Sequence, residues 1–300
     1  MRELRRILLS LYALDDAYGA DDVLVLGVRH LRRVRRVIDT GSYPDGIGRQ
    51  LRLVAGETAE HCGWLSFDAN RQDHARRFWG DALATARTLG DDGLEVIVLA
   101  SLSLQARYDD RPREACELAR AAQDRAAGWA SPKLLSVLVE READALARMR
   151  DHVGARRALA RAMRLLERER GSHPTPEWAS FQGPAELSQA QGFLFAEAGH
   201  YKAAVPYVQA ALAQQDSTYG RNRALYRLDL AEMLINSGEV DEGCAETISA
   251  AGQFGEVASG RVRSKLATVR RRIGQIGTKT AREAAQRLDQ MTQQKEGTKS

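Results

Sequence analysis

Five times along this chain a turn residue stands five positions ahead of a small residue, and apolar or small positions follow at +4, +7 and +8 from it. The frame runs as NRQDHARRFWGDALATARTLGD from Asn70 and returns as DRPREACELARAAQDRAAG from Asp110. It recurs as RDHVGARRALARAMRLLER from Arg150, as GHYKAAVPYVQAALAQ from Gly199, and as a weaker copy from Gly238. Asn70 leads to Ala75, Trp79, Ala82 and Leu83, and Gly199 leads to Ala204, Val208, Ala211 and Leu212. Such offsets place the set on one helical face, with the small residue where a neighbouring helix comes nearest.

The small residues Ala75, Ala115, Ala155, Ala204 and Gly243 are 40, 40, 49 and 39 residues apart, and such a period predicts a solenoid. Twelve positions before each lies a second small residue, Gly63, Ser103, Ala143, Gly192 and Ala231, inside another periodic stretch. Each unit therefore reads as two antiparallel helices, A then B, packed through paired small residues. Ala, Leu and Arg dominate and no run of β-branched residues alternates over a strand's length, so an all-α chain is expected.

Helices are expected at Glu3 to Tyr18, Asp21 to Asp39 and Asp45 to Phe67, the last being helix A of the first unit. The segment Gly171 to Glu186 carries three of the seven prolines and lengthens one step to 49. Beyond Arg261 a helix to about Ile276 and another from Thr280 are expected to close the array, with QQKEGTKS as a frayed tail. The resulting division is 1–54 for N-terminal helices, 55–260 for repeats and 261–300 for capping helices and a basic tail.

The frame, in GHYKAAVPYVQAAL above all, resembles the tetratricopeptide repeat. That resemblance implies an α-α superhelix of about five helix pairs whose A helices line a concave surface. GWLSFDANRQDHARRFWGDALATAR, VLASLSLQARYDDRPREACELARAAQ and EREADALARMRD also resemble the sensor half of actinobacterial regulators bearing a Cro/CI-type helix-turn-helix. That resemblance implies a sensor acting in transcriptional regulation; no helix-turn-helix pattern precedes the repeats, which argues against direct sequence-specific DNA binding and assigns the expected output to a partner.

Projected on the tetratricopeptide frame, the inward positions are Trp64, Phe67 and Asp68 in unit one and Leu104, Arg107 and Tyr108 in unit two. Glu140 and Asp144 follow in unit three, Gln189 and Phe193 in unit four, and Leu225, Leu228 and Glu232 in unit five. Aromatic anchors beside carboxylates suit a peptide or partner protein carrying apolar groups and positive charge. Glu142 and Glu186 are secondary candidates, while Trp79 and Trp129 are expected to pack between helices.

Other chemistries leave weaker traces. His61, Cys62 and His74 lack the i, i+4 spacing that aims two ligands from one helical face, and no HExxH occurs, so no metal is expected. No GxSxG and no glycine-rich phosphate cradle appears, so neither cofactor nor catalytic residue is assigned. An enzyme or small-molecule binder of specialised metabolism, using Asp68, Glu140 or His61 in a central cavity, is the alternative. A third reading takes the basic run Arg29 to Arg36 and the tail as a nucleic-acid contact, against a solvated helix face as the plainer account. The net charge of +4 divides into +3 over 1–55, +8 over 261–300 and −7 between them, unlike a uniformly basic binder.

The stretch ILLSLYAL is too short to span a bilayer and no signal-peptide pattern follows it, so a membrane role is not expected. Cys62, Cys116 and Cys244 form no CxxC, which suits a reducing cytoplasm. Homodimerisation through the terminal helices is compatible with this organisation.

Overall fold

The turn residue that opens each frame is a left-handed helix stop. In the computed structural model, Asn70, Asp110 and Arg150 have φ of 62°, 55° and 63°, and Gly199 and Gly238 have 77° and 97°. Each lets the next residue donate its N–H back to the preceding helix: Arg71 to Ser66, Arg111 to Ala106, Asp151 to Leu146, His200 to Phe195 and Glu239 to Leu234, all at 2.8–2.9 Å. This closure satisfies carbonyls orphaned at a helix end and reverses the chain. One local device therefore makes all five A-to-B turns.

The structure describes residues 1–18, 20–169, 174–215, 220–253 and 259–297. Two N-terminal helices, α1 (Arg2–Tyr18) and α2 (Ala20–Thr40), precede the first pair, α3 (Asp45–Asp68) and α4 (Gln72–Leu89). The next pairs are α5 (Asp92–Tyr108) with α6 (Pro112–Ala126), and α7 (Pro132–Arg148) with α8 (His152–Glu167). A short 3₁₀ turn, Glu177–Ala179, lies in the long connection before α9 (Pro184–Glu197) and α10 (Tyr201–Gln214). The fifth pair is α11 (Gly220–Ser237) and α12 (Val240–Gln253), followed by α13 (Gly260–Ile273) and α14 (Lys279–Gly297). Helix α14 runs five residues into QQKEGTKS, since Gln, Lys and Glu favour helix where a frayed tail was expected. Gly171–His173 of the long connection, and the last three residues, lie outside the described set.

Helices start where their sequence caps them. The Asp91, Ser131 and Asp151 side chains accept from the N–H of Leu94, Leu134 and Gly154 at 2.9, 3.1 and 2.8 Å. Pro112, Pro132 and Pro184 stand in the first turn, where no N–H is missed.

Paired small residues bring each A helix onto its own B helix. Ser103 Oγ donates to the Ala115 carbonyl at 2.8 Å, a bond that only close approach allows. A β-carbon on Gly192 would stand 3.3 Å from the Ala204 carbonyl, and one on Gly243 would stand 3.0 Å from that of Ala231. The A helices also pack in series, α3 on α5, α5 on α7 and α7 on α9. The result is an all-α tetratricopeptide-like superhelix whose apolar interior is a succession of adjoining clusters along the array.

Candidate ligand-binding wall

The A helices carry a continuous strip of rings and charges. The rings of Trp64 and Phe67 lie 5.8 Å apart, and Phe67 meets Tyr108 edge-on at 5.3 Å. The Arg107 guanidinium lies 4.9 Å from the Tyr108 ring and 5.1 Å from that of Phe193, where Arg148 approaches to 5.5 Å. Units one, two and four are thus joined through alternating aromatic and cationic groups.

Carboxylates run beside this strip. Asp144 pairs with Arg107 at 3.4 Å, while Gln182 Nε2 donates to Glu140 at 2.6 Å. Burial and the neighbouring Asp144 push the Glu140 carboxyl above its usual range; burial likewise raises Asp144 against the opposing charge of Arg107. Further along, Gln189 Nε2 donates to Asp229 at 2.8 Å, and Asp229 takes the Lys265 ammonium at 3.0 Å, which also bonds Glu232. Burial opposes that ammonium, yet the two carboxylates outweigh it and hold its pKa above the usual lysine value. Asp144 Oδ1, Arg107 Nε, Gln182 Oε1 and Gln189 Oε1 are buried without a hydrogen-bond partner among the described residues. Buried polar atoms left in this way retain capacity for a water or a ligand.

Not every projected residue faces open space. Phe67 is fully buried and Leu104 is 5 % exposed, and both belong to the interhelical core with Trp79. Phe67 lies four residues after Gly63 and so shares the face turned to α4, where its ring stands 5.8 Å from Trp79. Asp68 and Asp144 are also buried, and Leu228 lies in the core around α11 to α14. Tyr108 is the open member at 46 % exposure; Trp64, Arg107, Glu140, Gln189, Phe193, Leu225 and Glu232 are half-buried. Of the two indoles expected to pack, Trp79 is fully buried, whereas Trp129 stands at the surface and donates to the Arg125 carbonyl. Glu142 pairs with Arg120 at 2.7 Å, and Glu186 accepts from Gln215.

The wall is not an open trough. Ser259 Oγ and Arg261 Nε of the C-terminal segment both donate to Asp68 Oδ1, at 2.9 and 3.0 Å. From α11, Arg221 reaches Asp68 at 3.4 Å and Asp15 of α1 at 3.0 Å. Units one and five therefore meet across the inner side. Arg261, Ser259 and Lys265 lie outside the five units and so beyond a projection that treats each unit alone; Arg221, four residues before Leu225, and Asp229, three before Glu232, lie on helix A of unit five and within its reach. His61, the third acid–base candidate of the enzymatic alternative, is buried against Tyr12 with ring centroids 4.1 Å apart. In the basic run, Leu31 and Val34 are buried while Arg29, Arg32, Arg33 and Arg36 face solvent. Among the described residues no helix is long and apolar enough to cross a membrane.

No protein-family model and no curated protein matches the chain by sequence. Solved structures share its fold, two of them as follows. A Rap protein complexed with competence and sporulation factor matches with a TM-score of 0.61 at 13 % identity, over 97 % of this chain and 87 % of that one. BtubC (BKLC) from P. vanneervenii matches with a TM-score of 0.51 at 14 % identity, over 77 % of this chain and 89 % of that one. At such identities the likeness is one of fold.

Proposed function

We propose that this protein is a regulatory recognition module that holds a peptide, or an extended segment of a partner protein, along the inner wall of its superhelix. The observation that carries this reading is the strip Trp64, Tyr108, Arg107 and Phe193, which crosses unit boundaries and is backed from within the core by the buried Phe67 ring. Rings beside buried carboxylates give an extended ligand apolar anchors and sites for its cations. The Rap likeness supports the reading, because a protein with this fold was solved with a bound factor. Contacts spanning several units would change the curvature of the array, and a partner reading that curvature would carry the output into transcription in the cytoplasm.

The test is selection of a displayed random-peptide library on the immobilised protein, followed by titration of the recovered peptides. Trp64→Ala with Phe193→Ala is expected to weaken binding about a hundredfold, two anchors at hot-spot strength, with only a small change in melting temperature. Loss of binding and of stability in equal measure would assign both rings to the core and remove the proposal.

A further inference from the structure

The end of the inner wall nearest unit one is built around a guanidinium, and the group in it belongs to the chain itself. Arg261 is 7 % exposed, and its guanidinium lies 4.6 Å from the Phe67 ring, 5.3 Å from Trp64 and 5.8 Å from Tyr108. Below it, Asp68 is fully buried and accepts from Arg261 Nε. Three rings and one carboxylate around a planar cation form a recognition site for arginine in preference to lysine, whose compact ammonium neither stacks nor forks.

We infer that this cage is the anchor site of the proposed groove, that its ligand class is an arginine-bearing peptide, and that Arg261 fills it in cis as an internal competitor. The inference rests on the groove reading of the preceding section and adds a ligand class and a control element to it.

The fit of Arg261 leaves room for a better ligand. It engages Asp68 through Nε on one oxygen, whereas the second oxygen, Oδ2, accepts no hydrogen bond among the described residues and has Arg221 at 3.4 Å. An arginine arriving in trans can present parallel N–H groups to a carboxylate, which is the stronger geometry. The internal group holds its place through tethering. It sits in the first turn of α13, and that turn is pressed onto unit one, because a β-carbon on Gly260 would stand 2.5 Å from the backbone of Ala69. A tethered occupant competes at a high effective concentration, so a free peptide binds the intact chain weakly until α13 is drawn away.

The experiment is calorimetric titration of the full chain with acetyl-Gly-Ala-Arg-Ala-Gly-amide and its lysine counterpart. Arg261→Ala is expected to bind the arginine peptide about tenfold or more tighter than wild type, the gain that comes from removing a tethered competitor. In the same variant the lysine peptide is expected to bind about tenfold more weakly than the arginine peptide. Adding Asp68→Asn or Trp64→Ala to Arg261→Ala is expected to abolish the gain. A folded Arg261→Ala protein that binds both peptides no better than wild type overturns the inference. Should Arg261→Ala not fold, hydrogen exchange of the wild-type chain decides: millimolar arginine peptide must speed exchange in α13 and leave α5 unchanged, and equal exchange with and without peptide overturns the inference. If library selection meanwhile yields Trp64- and Phe193-dependent peptides without arginine, only the cis-ligand inference falls; if it yields none, the groove reading falls with it.

Discussion

Gly63 of α3 lies directly beneath the indole of Trp79 on α4, so close that a β-carbon built on it would stand 2.5 Å from the ring. Trp79 is fully buried. Gly63→Ala should therefore cost about 1–3 kcal/mol, the usual penalty for overpacking a filled core. Gly80, one residue after Trp79, has nothing within 4 Å of the same added atom, and Gly80→Ala should stabilise by up to about 1 kcal/mol through helix propensity alone. Urea midpoints of the two variants should move in opposite directions; a shared direction would refute the close-packing account of the small-residue frame.

The turns permit a test of their own. Arg150 adopts the left-handed conformation at φ 63° with an exposed side chain, where a non-glycine residue is strained. Arg150→Gly should raise stability by about 0.5–1 kcal/mol, the relief of strain exceeding the entropic cost of glycine. Gly199→Ala, at φ 77°, should lower it by about 1 kcal/mol for the converse reason. Thermal melting decides, and a neutral result at both sites would mean that the turns tolerate other backbone shapes.

What the sequence discloses about this fold is what lies within one unit. The turn residue, the small residue five positions on and its partner twelve positions back are local, and the structure uses each as a stop, a close approach and a packing face. The tetratricopeptide resemblance, laid over that frame, assigns Trp64, Tyr108 and Phe193 to one inward surface. It places Phe67 and Leu104 there as well, because residues at the edge of an inward face share that edge with the interhelical seam. Contacts such as Arg261 with Asp68, 193 residues apart, depend on how far five units curl, and no local period encodes that angle.

Buried ionisable groups on α3 predict a pH dependence with a definite sign. Burial raises Glu60 from the ordinary 4.5 to about 7, with Ser101 Oγ donating to it at 3.3 Å. A raised carboxylate keeps its proton in the folded state, so its contribution is fully present below pH 4.5 and is lost as the pH climbs through about 7. The shift corresponds to about 3 kcal/mol, and Glu60→Gln should remove that loss. Its neighbour His61, lowered by burial from 6.5 to about 4, acts in the opposite sense, losing stability as the pH falls through that range. Denaturation at pH 5 and pH 8 should show the variant gaining on wild type only at the higher pH. A pH-independent difference would mean that Glu60 stays ionised.

The meeting of units one and five through Arg221 makes the superhelix behave unlike an open array. In an open array each unit contacts only its neighbours, so an ion pair lost in unit five weakens the molecule locally. Here the Arg221 side chain pairs with Asp15 and Asp68, both buried and both on the far end of the chain. Arg221→Ala strips a cation from two buried carboxylates, a change that costs about 3 kcal/mol when partners stay buried. The ends can avoid that cost by separating and letting water reach Asp15 and Asp68. Arg221→Ala should therefore lower the melting temperature and increase the radius of gyration in small-angle X-ray scattering, whereas Arg120→Ala, removing a pair within the array, should leave the radius unchanged. An unchanged radius together with an unchanged melting temperature would show that the ends are not held by this pair.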